Sequence, residues 1–237
     1  MSTHSTFIGI PRIPTKGGQE CSREDRQSIQ MACSILLDYP NERCLEALAP
    51  IRTEVAKMES PAGDLVARFC DAFEAMGLRS AQEHYVETFD QRRRCSLYLS
   101  YYSQGDTRGR GQAILAFREI MSQCGFTQER DELPDFLPVC LEFAACEPSG
   151  VGEELLAAHR EGIEVIVTAL KMAQSPYALL LEALILTMPQ PSAETIEAVR
   201  RLISQGPPSE LVGLTASGPG ASIDDPMNVQ PVKVKEA

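Results

Sequence analysis

Apolar residues recur along most of the chain at the three- and four-residue spacing of helices that are buried along one face. The clearest stripe has members at i, i+4, i+8 and i+11: Leu65, Phe69, Phe73 and Met76. Ser60 precedes Pro61, which places an N-cap residue before proline at the first helical position. Gly77 follows the stripe and is a typical C-terminal stop. This pattern predicts a helix from Pro61 to the residue before Gly77.

The same signals predict further helices along the chain. They are a first helix from Ile29 to Leu37 before Pro40, one from the capping box 80–83, one through Ile114 and Met121 to Gly125, a long one from Leu155 to Leu170, one starting at Ser175-Pro176, and a last one from Ser192 to Gly206. Strand signals are nearly absent, because the single β-branched run at 163–168 lies within a helical stripe. We therefore predict an all-α helical bundle of about nine or ten helices.

Composition changes at both ends of the chain. Glycine and proline recur through residues 1–26 and again through 206–237, and large apolar residues are few in both segments. Such segments cannot bury enough surface to offset the entropy lost on ordering. The predicted organisation is a flexible tail at 1–26, one helical domain at 27–205 and a disordered tail at 206–237.

Charge and targeting signals exclude several classes of protein. With 22 basic and 33 acidic residues the formal net charge is −11, which disfavours nucleic acid and anionic membranes as partners. The sequence has neither a secretory signal nor an apolar run of about 18 residues, so we expect a cytoplasmic protein that does not insert into a membrane. The eight cysteines include no C-x-x-C pair, which favours reduced core thiols over a metal site.

The sequence lacks the common motifs of enzymes. The sequence has no P-loop, no G-x-S-x-G and no H-E-x-x-H. The glycine-rich stretch 105–111 follows a predicted helix and lacks the phosphate-binding lysine, so an interhelical loop is favoured over a phosphate cradle. Nothing in the sequence pairs a histidine with a cysteine nucleophile. We predict a protein that is not an enzyme.

Two local features stand out from the acidic background. Arginines cluster at 92–94 and again at Arg108 and Arg110. They form either an ion-paired surface or a site for carboxylate groups. The loop 132–138 has two prolines, which fix an extended or turn conformation before a helix. In that loop Asp135 either caps the following helix or is presented, with Glu132, to a partner.

Several short motifs occur together between residues 27 and 205. They are LLDYP at 36–40, YVETFD at 85–90, SL at 96–97, GDTRGRGQA at 105–113, ELPDFLP at 132–138, LE at 141–142 and YA at 177–178. Their order and spacing resemble the NarJ/NarW family, the assembly chaperones of respiratory nitrate reductase within the TorD-like group. One departure is Phe136, where relatives usually have histidine. Because Phe136 cannot titrate, it weakens a pH-switched or nucleotide-binding role and leaves peptide binding intact.

The resemblance implies a TorD-like helical chaperone that binds the N-terminal segment of the apo catalytic subunit of nitrate reductase. It would assist molybdenum cofactor insertion before membrane docking, with no cofactor bound stably and either a monomeric or a dimeric state. A helical groove can accept an amphipathic partner helix, and an acidic domain suits a basic partner segment. The candidate contacts are Tyr85, Phe89, Asp90, Arg108, Arg110, Glu132, Pro134, Asp135, Phe136, Leu137 and Leu141. The alternative for the lining candidates Tyr85, Phe89, Leu97, Leu137 and Leu141 is a place in the core.

Two other classes of function compete with the chaperone. One is a helical scaffold subunit of the mature complex, which would co-purify with the finished enzyme in stoichiometric amount. The other is a cofactor-handling enzyme, which a turnover assay would reveal. The joint motifs favour the chaperone over both.

Overall fold

The computed structural model describes residues 21–105, 107–128 and 131–188, and within these ranges every regular element is helical. The ten α-helices are α1 (Arg23–Leu36), α2 (Glu42–Val55), α3 (Pro61–Met76), α4 (Leu78–Tyr85), α5 (Leu99–Gln104), α6 (Arg108–Gln123), α7 (Leu137–Cys146), α8 (Val151–Ala158), α9 (Arg160–Met172) and α10 (Tyr177–Thr187). Two 3₁₀ turns lie at Ala56–Met58 and Arg93–Cys95, and a π-helical turn lies at Val86–Asp90. The prediction of an all-α bundle is confirmed.

Side-chain caps explain where several helices begin. The Ser60 hydroxyl accepts a hydrogen bond from the Gly63 backbone N–H at 3.1 Å, and Pro61 takes the first position of α3. At the other end, Gly77 has a φ of 75°, a backbone conformation that favours glycine. The bounds of α3 therefore follow the predicted cap, proline and stop. Ser22 caps α1 in the same manner by accepting from the Asp25 N–H at 3.0 Å.

Other predicted boundaries differ from the structure. Helix α4 begins at Leu78, so Ser80 lies inside the helix and the predicted capping box is wrong. The predicted long helix from Leu155 to Leu170 is divided at His159 into α8 and α9. Ser175 precedes α10 as predicted, but its hydroxyl bonds the His84 ring at 2.8 Å instead of capping the helix.

Three further predictions concern the two ends of the chain and the glycine-rich stretch. Helix α1 already begins at Arg23, ahead of the domain start proposed at residue 27. Helix α6 begins at Arg108, inside the stretch 105–111 that was predicted to be a loop. The last predicted helix, from Ser192, lies outside the described residues, as do residues 1–20 of the predicted N-terminal tail and the whole predicted C-terminal tail.

Helix α1 is central to the packing. It contacts α2, α3, α7 and α10, while α10 also packs on α3 and α9. Two buried hydrogen bonds join these layers, since the Ser34 hydroxyl donates to the Pro138 carbonyl at 2.7 Å and the Cys33 thiol donates to the Leu180 carbonyl at 3.4 Å. Such bonds satisfy polar atoms that would otherwise be costly to bury. The core therefore runs continuously from α7 through α1 to α10.

Across residues 21–105, 107–128 and 131–188, no helix combines the length and the apolar character that a bilayer crossing requires.

Candidate functional site

The proline-flanked loop is fixed to the start of α5 by a short backbone pairing. The Leu99 N–H donates to the Asp135 carbonyl at 2.9 Å, and the Leu137 N–H donates to the Leu97 carbonyl at 2.7 Å. Tyr98 and Phe136 lie opposite each other in this antiparallel bridge. We call this arrangement the loop joint. It brings together two segments that are far apart in the sequence.

The Asp135 side chain lies beneath the loop joint and is completely buried. Its Oδ2 accepts from the Ser100 N–H at 3.3 Å and from the Ser100 hydroxyl at 2.5 Å, which caps the first turn of α5. The other carboxylate oxygen, Oδ1, has no hydrogen-bond partner within the described part of the chain. Asp135 does cap a helix, but it caps α5 and not α7 as predicted. Its side chain is not exposed for contact with a partner, and it holds the loop on α5 instead.

Glu132 lies on the outer side of the loop joint and is half-buried. The Tyr98 hydroxyl donates to its Oε1 at 3.1 Å. Burial, and after it the negative charge of Glu132, raises the pKa of Tyr98 to about 12. The guanidinium of Arg110 stands 5.6 Å from the centre of the Tyr98 ring, within cation–π range. This side of the joint therefore presents a carboxylate, a phenol and a cation together.

An aromatic cluster adjoins the loop joint. The Tyr85 ring lies 4.7 Å from Phe89 and 5.5 Å from Tyr39, and Phe89 in turn lies 4.9 Å from Tyr177. The Tyr85 hydroxyl donates to the Leu37 carbonyl at 3.2 Å. Tyr85, Phe89 and Tyr177 are buried, whereas Tyr39 is 46% exposed and brings the cluster to the surface.

Electrostatics connects the aromatic cluster with the joint. Burial raises the pKa of Tyr85, and the negative charges of Asp38 and Asp90 raise it further. The Tyr98 phenol of the loop joint acts on Tyr85 in the same direction. Asp90 itself is exposed at the end of the π-helical turn. The two regions thus form one tyrosine-rich side of the protein, which carries the carboxylates of Asp38, Asp90 and Glu132 and the guanidinium of Arg110.

The predicted contact residues divide into two groups. Asp90 is exposed, Arg110 and Glu132 are half-buried, and the side chain of Arg108 lies outside the described part. The remaining predicted contacts are buried: Tyr85, Phe89, Pro134, Asp135, Phe136, Leu137 and Leu141. The predicted groove lining, which also included Leu97, therefore belongs to the core. The reason is that these side chains join α4, α5 and α7 to the rest of the bundle.

Sequence reasoning missed three accessible residues of this side. Tyr39, Tyr98 and Leu133 are exposed or half-buried, and Leu133 is 37% exposed at the loop tip. Tyr39 lies in the motif at 36–40, and Leu133 lies in the motif at 132–138, so the motifs did contain the signal.

The arginines at 92–94 are all exposed. No salt bridge within residues 21–105, 107–128 and 131–188 includes them, and their side chains are solvated. The turn that carries them is held in place because the Tyr102 hydroxyl donates to the Arg94 carbonyl at 3.1 Å and Cys95 is buried.

No group of three or more His, Cys, Asp and Glu side chains in the described ranges is arranged to hold a metal ion. All eight cysteines are free, and five of them are buried. Burial raises the pKa of Cys70 to about 11, which keeps that thiol protonated at neutral pH.

The fold has a counterpart among solved structures. It resembles a crystal structure of a redox enzyme maturation protein from Archaeoglobus fulgidus, with a TM-score of 0.51 and 22% sequence identity. The likeness covers 73% of this chain and 95% of the other. At this level of identity the two proteins share a helical fold, and no residue role is transferred.

Residues 55–181 match the profile of the family described as nitrate reductase delta subunit. The chain belongs to this family, and the resemblance to NarJ and NarW is confirmed. A molybdenum cofactor assembly chaperone of nitrate reductase, NarJ of Bacillus subtilis, is 29% identical over 162 residues, which cover 68% of this chain and 88% of that protein. NarJ of Escherichia coli K12 is 30% identical over 159 residues, covering 64% and 66% respectively.

A further relative has a different length. The nitrate reductase-like protein NarX of Mycobacterium tuberculosis H37Rv is 39% identical over 150 residues. The match covers 63% of this chain but 22% of NarX, so the chain spans about a fifth of that relative. The prediction that the protein is not an enzyme agrees with the names of the NarJ relatives, which are assembly chaperones.

Proposed function

We propose that this protein is a cytoplasmic, system-specific chaperone for the catalytic subunit of a respiratory nitrate reductase. It binds the N-terminal segment of the apo-subunit and assists insertion of the molybdenum cofactor before the complex docks at the membrane. The observation that carries the proposal is the family match over residues 55–181, together with relatives named for this assembly task.

The tyrosine-rich side supports the binding part of the proposal. Tyr39 and Leu133 offer exposed apolar surface at its two ends. Asp90 and Glu132 add negative charge, and the whole chain carries a net charge of −11. An amphipathic partner helix needs both elements, because apolar contacts supply affinity while rim charges set orientation and association rate. We place the client segment on this side, with its basic residues towards Asp90 and Glu132.

The buried members of the predicted site then have a supporting role. Asp135 holds the loop on α5, and Phe136 packs its ring 5.2 Å from Tyr98. Both position the surface residues without contacting the client. A substitution at Asp135 therefore disturbs folding as well as binding and is a poor probe of the interface.

Calorimetric titration with a synthetic peptide of the catalytic subunit's N-terminus tests the binding site. We expect saturable one-to-one binding that is weakened about two- to fivefold by Glu132→Gln, the effect of one partly exposed charge. Tyr39→Ala should weaken binding more, since it removes apolar contact area. The matched control is Glu59→Gln, an exposed carboxylate in the turn between α2 and α3. Equal binding by Glu132→Gln, Tyr39→Ala and the control would contradict the proposed surface.

The assembly role has a separate test in cells. Deletion of the gene should leave the reductase subunits present but without molybdenum cofactor, as measured by metal analysis of the purified enzyme. Normal cofactor loading would contradict the chaperone function. Stoichiometric co-purification of this protein with mature, membrane-bound reductase would instead support a scaffold subunit.

A further inference from the structure

A groove of about 320 Å³ lies between α3, α9 and α10, on the part of the bundle that contains the end of α10. Leu65, Val167, Ile185 and Leu186 give it an apolar lining. Lys171 and Glu182 form a salt bridge at one end of the groove. All four apolar side chains are only half-buried, so the described residues leave them incompletely covered.

The chain leaves the described part of the structure next to this groove. Leu186 lines the groove, and the described residues end two positions later at Met188. Forty-nine residues follow in the sequence, from 189 to 237. The occupant nearest to the groove along the chain is therefore the continuation of α10 itself.

The connection to the following segment is short. Residues 189–191 read Pro-Gln-Pro, and three residues span at most about 11 Å when extended. Short connections between helices place them as antiparallel neighbours. Helix α10 already contacts α1, α3 and α9. An antiparallel neighbour would therefore pack on the side of α10 that faces the groove.

The segment 192–205 has the pattern that such a neighbour needs. Ser192 is an N-cap residue, Gly206 is a stop, and the apolar stripe between them consists of Ile196, Val199, Leu202 and Ile203. A helix extends about 10 Å along its axis from residue 196 to residue 203. The part of α9 that lines the groove, residues 164–171, has the same length. An antiparallel course would also bring Arg200 and Arg201 towards the Glu182 end of the groove.

We infer that residues 192–205 of this chain form an amphipathic helix that docks in the groove between α3, α9 and α10. Docking removes the half-buried side chains of Val167, Ile185 and Leu186 from water, which is the main favourable contribution. It also gives the stripe at 196–203 a partner that it lacks alone, since a single short amphipathic helix is marginal in water. The docking is intramolecular and does not depend on the identity of the client.

The absence of tryptophan from the sequence provides a clean reporter. In the full-length chain, Val199→Trp places the single indole on the stripe, and Glu197→Trp places it on the opposite face as a matched control. We expect blue-shifted emission and protection from acrylamide quenching for the first variant and solvent-like emission for the second. Leu186→Asp added to Val199→Trp should shift the emission to the red while far-UV circular dichroism stays unchanged. Ile203→Trp repeats the measurement in case the larger side chain at 199 prevents docking.

Three outcomes would overturn the inference. Solvent-like emission from both stripe variants would mean that the segment does not dock. A blue shift that appears only as protein concentration rises would assign the groove to the segment of a second copy. In the third outcome, both stripe variants have solvent-like emission, and the indole of a groove variant, Val167→Trp, becomes buried only when the client peptide is added. That result would assign the groove to the client.

Discussion

Helices α7 and α10 have nearly the same character but different surroundings. Each carries one charged residue, Glu142 in α7 and Glu182 in α10, and is otherwise mostly apolar. Every large apolar side chain of α7 is buried. By contrast, α10 leaves Leu179, Ile185 and Leu186 half-buried.

The difference comes from the neighbours of each helix. A helix that is apolar on all sides needs cover on all sides. Helix α7 obtains cover from α1 and α8, and Gly152 allows α8 to approach closely. Helix α10 has α1, α3 and α9, and the side next to the groove remains open among the described residues. Composition alone therefore does not reveal which apolar helix is covered on all sides by its neighbours, whereas the packing does.

The largest expected effect comes from truncating one leucine in each helix. Leu141→Ala removes a completely buried side chain of α7 and should lower the free energy of unfolding by about 2–5 kcal/mol. Leu186→Ala in α10 should cost about 1–2 kcal/mol, because the described helices cover this side chain only in part and a docked segment 192–205 adds the remaining cover. Urea denaturation of both variants measures the difference. An equal decrease in unfolding free energy for the two variants would contradict the proposed difference in burial between α7 and α10.

The close approach of α8 to α7 gives the next prediction. A Cβ added at Gly152 would lie 2.5 Å from the Ala144 Cα, so Gly152→Ala should push α8 off α7 and cost about 1–3 kcal/mol. The matched control is Gly111→Ala in α6, where a Cβ meets nothing within 4 Å. That variant should be neutral or stabilise by up to about 1 kcal/mol, since alanine favours helix. Similar melting temperatures for the two variants would show that Gly152 does not limit the packing of α8.

A smaller effect is expected from pH, through the histidine between α8 and α9. Burial lowers the pKa of His159 below its ordinary value of 6.5, although the hydrogen bond to Leu155 and the charge of Asp135 act in the opposite direction. The unfolded chain therefore takes up this proton before the folded chain does. The contribution of His159 to the free energy of unfolding is therefore complete above a pH of about 6.5, and it is lost as the pH falls below that value.

Urea denaturation between pH of about 7.5 and 5.5 checks this dependence. His159→Asn keeps an amide donor near the Leu155 carbonyl but cannot titrate. It should therefore remove most of the histidine contribution to the change of unfolding free energy with pH. His84→Asn is the comparison, because His84 is less buried and stacks on Tyr177 at the start of α10. Unchanged pH dependence in His159→Asn would exclude His159 as its source.

Much of the helical fold could be predicted because its signals are local. Ser60, Pro61 and Gly77 lie within one helix length of each other, and their combined effect does not depend on the rest of the chain. The division at His159 could not be predicted, because the apolar stripe continues across it. There the chain ends α8 so that α9 can turn onto α5, and Gly162 lies against Tyr102 of that helix.

The candidate site was harder to predict for the same physical reason. Asp135 was recognised as a capping residue, but the helix that it caps begins at Leu99, far away in sequence. Whether Leu137 and Leu141 face a partner or the core depends on the packing of α7 against α1 and α8, and both side chains are buried. Motif order gave the family correctly, whereas tertiary neighbours decide which members of each motif reach the surface.

The position of α1 has a consequence for synthesis of the protein. Its principal neighbours, α7 and α10, are translated long after it, since α10 ends at Thr187 and α1 ends at Leu36. At about 5–20 residues per second, the ribosome needs about 8–30 s to cover that interval. During this time the apolar face of α1 lacks first both of these native partners and then, once α7 is made, still lacks α10. A protein that we propose to protect an unfinished client therefore passes through an unprotected stage of its own while it is still being made.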